Sequence, residues 1–188
     1  AAADRFFQRT DEKEINTVFL SWGAFKSAST PERAAFLEQA HENDLQVHAL
    51  IGTRGHDAVT NAEEMIPEVI GYNEKRSSAT QFDGIHLDVE PGQADLETFL
   101  QEYQTMLDGS RTDIQSASGE SINSQGMALS SAVGWWWPNT APTKTQQVVG
   151  QDALDYIVVM AYWDSEQEVR NRLSNIVSNT DTPYVVAI

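Results

Sequence analysis

Six short apolar, β-rich runs recur along the chain, each separated from the next by a stretch with helical spacing, and this alternation restricts the fold more than any other feature. The runs cover residues 15–22, 45–51, 82–90, 127–134, 154–162 and 183–188. Most carry apolar residues at odd and even positions alike, as strands do when both faces of a parallel sheet are covered. Between them, Thr30 reads as an N-cap followed by Pro31, and Thr60 with Glu63 as a capping box ahead of Ile66, Val69 and Ile70. Residues 95–107 repeat Leu96, Phe99, Leu100, Tyr103 and Leu107 at helical intervals. Ser165 and Glu168 open a last helix with Val169, Leu173, Ile176 and Val177 on its inner side. The Ser-, Gly- and Gln-rich stretch 109–126 reads as a long solvated loop.

Repeated β/α units of this kind build either a closed barrel or an open doubly wound sheet. No Gly-x-Gly-x-x-Gly and no phosphate loop follows any strand, so the expected fold is α/β, a parallel (β/α)8 TIM-type barrel. About six strands are visible; the first and last of a full barrel are not found. The chain has 188 residues, against about 250 for a complete barrel, and its last six residues read as a strand cut short. The expectation is a single barrel domain over residues 1–188 that is a piece of a longer polypeptide.

The third run reads Asp83-Gly84-Ile85-His86-Leu87-Asp88-Val89-Glu90. Side chains two apart on a strand share a face, so His86, Asp88 and Glu90 line one wall while Ile85, Leu87 and Val89 line the other. Ionisable groups inside a barrel are costly unless they pair or do chemistry. Glu90 stands at the carboxyl end, where barrel enzymes place catalysis. Two stacked carboxylates couple their titrations and favour a proton held on one of them, an arrangement suited to a general acid.

This strand resembles the Asp-Gly-x-Asp-x-Asp-x-Glu signature of glycoside hydrolase family 18, the chitinases and their relatives. Asp83, Gly84, Asp88 and Glu90 match it, and His86 stands where the family has Asp. Ala49-Leu50-Ile51-Gly52 resembles the family's third barrel strand and residues 127–134 its fifth. Residues 155–162, ending Met160-Ala161-Tyr162, resemble its sixth, where the family carries Met-x-Tyr-Asp; Trp163 takes the place of that Asp, with Asp164 one residue later. The resemblance runs over barrel strands two to seven. It implies a retaining, substrate-assisted glycosidase in which Glu90 protonates the glycosidic oxygen. Asp88 would orient the 2-acetamido group whose carbonyl is the nucleophile, and Tyr162 would hydrogen-bond that carbonyl. His86, when protonated, would favour an ionised Asp88 and shift the pH optimum. Asp83, His86 and Asp164 join the expected substrate-binding set.

Rings cluster after several strands: Trp22 after the first, Trp135-Trp136-Trp137 after the fourth, Tyr162-Trp163 after the fifth. Aromatic faces at a barrel mouth suit the apolar C–H faces of sugars. Trp22, Trp135, Trp137 and Trp163 are therefore expected to line a glycan cleft. His56 reads as a solvated loop residue, and His41 and His48 as structural.

The formal net charge of −16, from 28 acidic and 12 basic residues, argues against nucleic acid and against anionic membrane surfaces as partners. No apolar run approaches the roughly 20 residues of a membrane helix. The acidic residues are dispersed and Lys numbers only four, which suits solubility in concentrated salt; an ordinary acidic protein is the alternative. There are no cysteines. No cofactor and no metal are expected, although His86, Asp88 and Glu90 are legitimate cation ligands and leave a metal-dependent hydrolase as a further reading. The expected partner is a carbohydrate, extracellular or on a cell surface, and a barrel that binds glycan without cutting it is the alternative to a glycosidase.

Overall fold

The computed structural model describes residues 2–92, 95–117, 126–150, 152–163, 165–178 and 180–187. Its strands are β1 (Thr17–Ser21), β2 (Gln46–Arg54), β3 (Gly84–Glu90), β4 (Ala128–Gly134), β5 (Tyr156–Met160) and β6 (Tyr184–Ala187). All five pairings are parallel and follow chain order, and the sheet curls into half of a TIM-type barrel.

The two faces of the sheet differ. Val47, Ala49, Ile51, Ile85, Leu87, Val89, Leu129, Ile157 and Val159 face outward and are 0–1 % exposed. Helices α3 (Thr30–Glu42), α4 (Ala58–Asn73), α5 (Leu96–Ala117), α7 (Pro142–Val149) and α8 (Glu166–Val177) bring Leu37, Ile66, Leu100, Leu107, Val148 and Ile176 into the same core. Burying such side chains stabilises the layer by about 1.5–3 kcal/mol each. The inner face carries Phe19, His48, His86, Ser130 and Tyr156 beside Val158 and Met160, so the strands are apolar on one face and mixed on the other.

Three helix boundaries depart from expectation. Ser29, not Thr30, caps α3: its backbone N–H donates to Glu32 Oε2 at 2.9 Å in a full capping box. Helix α4 begins at Ala58, ahead of the anticipated Thr60 cap. Helix α5 continues to Ala117 through the stretch read as loop. Its hydroxyls are absorbed locally, Ser110 donating to Met106 O, Thr112 to Asp108 O and Ser116 to Thr112 O, while Ile114 anchors the extension in the core. Residues 118–125 of that stretch lie outside the described residues. Helices α1 (Ala2–Glu12), α2 (Trp22–Ser27) and α6 (Trp137–Thr140), like α7, were not among the expected elements. No helix among the described residues is long and apolar enough to cross a membrane.

Candidate active site

The register of the sheet places the carboxylate column on the inner wall. Leu50 pairs with His86, Gly52 with Asp88 and Arg54 with Glu90, and His86 pairs in turn with Ser130. At the foot of the column a side chain on Gly84 would lie 2.7 Å from His48 Nδ1 and 2.8 Å from Ala128 O, so only glycine fits. The space is filled by His48, which meets the Tyr156 hydroxyl at 3.1 Å across the trough.

His86 comes next. It is buried, its Nδ1 lies 2.9 Å from Ser130 Oγ, and the Phe19 ring stacks on it at 4.0 Å and 12°. Burial, reinforced by His48, lowers its pKa to about 4. The imidazole is therefore neutral near pH 7, and the favouring of ionised Asp88 expected of a protonated His86 belongs to acid conditions only. Asp88 is half-buried, and its Oδ1 is shielded from solvent with no hydrogen-bond partner among the described residues. Burial first, then the charge of Glu90, push its carboxyl above the ordinary range. Glu90 closes the column at the carboxyl end with its side chain 34 % exposed, and its Oε2 lies 3.3 Å from Arg54 Nε. Arg54 is the site residue that sequence reasoning passed over. Extending the second strand to residue 54 would have aligned it with Glu90.

Asp83 belongs to the opposite end. Its Oδ2 accepts from the Val47 N–H at 2.7 Å and meets His41 Nε2 at 3.0 Å, so it ties β2 and α3 to the start of β3 and has no place in a substrate site. Asp155 repeats the device two strands later, accepting from the Leu129 N–H at 2.7 Å and from Arg111 Nη2 at 2.6 Å.

The rings divide. Trp22 is 3 % exposed, packs against Phe25, Tyr72 and Phe82 on the helical side, and donates its indole N–H to Glu68 at 2.8 Å. Trp137 is fully buried against Phe99 and Tyr103. Neither offers a face to a solute, which corrects both expectations: each opens a helix and turns into the layer between helix and sheet. Trp135, Trp136, Tyr162 and Trp163 stand at the same rim as Glu90, the last three exposed. The guanidinium of Arg172 on α8 sits between two of these rings, 3.6 Å from the Trp135 centroid and 3.9 Å from that of Trp163. No sequence signal links α8 to these tryptophans. Asp164 lies outside the described residues. His56 is an exposed loop residue as read, and His41 and His48 are structural. Among the described residues no group of three or more His, Asp and Glu is placed to hold a metal ion.

No protein-family model matches the sequence, and no curated protein does. Solved structures do. The C-terminal domain of a candidate chitinase from Desulfitobacterium hafniense superposes with a TM-score of 0.68 at 16 % identity, over 93 % of this chain and 57 % of that one. The fold is chitinase-like. A GH18 chitinase from Pseudoalteromonas aurantia gives a TM-score of 0.55 at 13 % identity, covering 85 % of this chain and 62 % of its own. A class V chitinase from Nicotiana tobaccum gives 0.51 at 14 %, over 91 % and 65 %, and a mutant of that enzyme is solved with NAG4. This chain thus spans roughly three fifths of the length of these chitinase-like structures, and at such identity the likeness concerns the fold.

Proposed function

We propose that the chain carries the catalytic wall of a chitinase-like glycoside hydrolase, acting on an amino-sugar polysaccharide outside the cell or at its surface. One observation carries the reading: a half-buried Asp88, one oxygen without a partner among the described residues, stands directly beneath a solvent-reaching Glu90 on the inner face of a chitinase-like sheet. Glu90 gives its proton to the glycosidic oxygen as the bond to the anomeric carbon breaks. The substrate's acetamido carbonyl closes on that carbon, oriented by Asp88 and hydrogen-bonded by Tyr162. Water then opens the ring intermediate while Glu90 takes the proton back. Asp88 suits this task because burial raises its carboxyl above the ordinary range, so it holds a proton to higher pH than an exposed aspartate. The ion pair with Arg54 opens before Glu90 acts. Arg54 is 76 % exposed, so the pair is weak and easily parted.

A second reading has its own support. His86 and Trp163 stand where the resembling family carries Asp, and a wall so altered suits a barrel that holds glycan without cutting it. One experiment separates the two. Wild type and Glu90→Gln are compared on labelled N-acetylglucosamine oligomers and other glycans, at low and at high salt. Hydrolysis falls by at least about a hundredfold in the variant, the scale of a lost general acid, while binding persists. Equal turnover in both proteins overturns the mechanism, and binding without turnover in either selects the lectin reading.

A further inference from the structure

A second site lies on the outside of the molecule, on the face of α2, α3 and α4 away from the trough. A recess of about 400 Å³ opens there, lined by Lys26, Arg33, Lys75 and Arg76 together with Glu68 and Tyr72. Four of the chain's twelve basic residues converge on this one depression, against a single carboxylate, in a chain whose net charge is −16. A concave patch of the minority charge concentrates field lines and draws ions of the opposite sign.

The cations are held in place by rings. Arg33 lies over Phe25 at 5.7 Å, Arg76 over Tyr72 at 5.0 Å and Lys26 over Trp22 at 5.5 Å. Stacking fixes a guanidinium and leaves N–H groups at its edge to grip an oxyanion; in Arg33 one of them, on Nη2, already donates to Thr30 Oγ1 at 3.1 Å. Arg33 Nε, shielded from water, has no hydrogen-bond partner among the described residues, and the equally shielded Arg76 Nε and Tyr72 hydroxyl lie on two side chains that bond each other. Tyr72 is itself nine-tenths buried. A buried donor left unmet costs about 1–3 kcal/mol, so the Arg33 Nε beside this recess favours an incoming acceptor once the side chain shifts. Glu68 does not fill that role: one of its oxygens, Oε2, is engaged by Lys26 Nζ at 2.6 Å and Trp22 Nε1 at 2.8 Å.

We propose that this recess binds a small polyvalent oxyanion, a phosphate or sulfate ester, gripped by Arg33 and Arg76, reached by Lys75 and hydrogen-bonded by Tyr72. The site is independent of the glycan reading, and no residue is shared with it. Titration calorimetry of the full chain with pyrophosphate at low salt and neutral pH tests it. Saturable one-to-one binding is expected, weakened at least about tenfold by Arg33→Gln or Arg76→Gln, the scale of one lost charge-assisted hydrogen bond. Lys75→Glu, at an exposed position that leaves folding untouched, weakens it at least about fivefold, and Lys144→Gln on a distant helix leaves it unchanged. Glucose 6-phosphate and glucose 6-sulfate then name the source by which of them binds more tightly. Absence of saturable binding, equal loss in Lys144→Gln, or pyrophosphate binding with neither ester bound would overturn the proposal.

Discussion

The two ends of β3 hold carboxylates of the same chemistry in opposite conditions. At the amino end Asp83 is committed: one oxygen serves a backbone N–H and a histidine, and Asp155 repeats the arrangement on β5. At the carboxyl end Asp88 keeps an oxygen with no partner among the described residues, and Glu90 meets an exposed arginine on a long, flexible stem. A carboxylate that accepts hydrogen bonds from fixed donors stabilises a fold. One that is buried without them is destabilising, and persists where it is needed for something else. The separation agrees with the division of labour in β/α barrels, stability at one end and chemistry at the other.

Steric room sharpens the contrast most strongly. Gly84→Ala drives a methyl group into His48 and the Ala128 carbonyl and is expected to lower unfolding free energy by about 3 kcal/mol. Gly52→Ala, in register with Asp88, has no heavy atom within 4 Å and should change it by less than about 1 kcal/mol. Urea midpoints of the two variants make the comparison, and equal losses would break it.

Acid titration gives the next effect. His86 has a folded pKa of about 4, below the 6.5 of the unfolded chain, so its contribution is present above pH 6.5 and is lost as pH falls through 4. The loss approaches roughly 3 kcal/mol, because each pH step between the unfolded and folded values carries about 1.4 kcal/mol. His86→Gln should flatten that limb of the stability–pH curve, and a curve unchanged by the substitution would contradict a buried neutral imidazole. The smallest effect belongs to His41, whose hydrogen bond to Asp83 raises its pKa above 6.5. Its contribution is full below pH 6.5 and disappears as pH rises through the folded value. An NMR titration of the imidazole protons should place its midpoint above that of free histidine, and a midpoint below would remove Asp83 as its partner.

The inner column was legible because strand alternation is a local property. Once 84–90 is a strand, His86, Asp88 and Glu90 must share a wall, and the sheet register sets them in one column. The barrel-type sheet followed from six strands spaced by helices for the same reason. What escaped depends on contacts distant in sequence. Trp22 and Trp137 follow strands just as Trp135 and Trp163 do, yet short helices beginning at those residues turn their rings into the core. Arg172 reaches its two rings from a different helix, and Asp83 is spoken for by residues 36 and 42 positions earlier. In α5 a Ser- and Gly-rich composition masked a helix whose core contacts at Leu107, Ser110 and Ile114 keep the helical period.

Urea unfolding of Asp83→Asn and Asp88→Asn, side by side from pH 4 to 8, tests the division between the two ends most directly. Asp88 has a raised folded pKa, so its ionisation removes stability as pH rises through that value. Asp88→Asn should accordingly be as stable as wild type at low pH and more stable near neutrality. Asp83→Asn should be less stable than wild type by about 1.5–3 kcal/mol at neutral pH, through its weakened bonds to Val47 and His41. A destabilised Asp88→Asn beside a neutral Asp83→Asn would contradict the account.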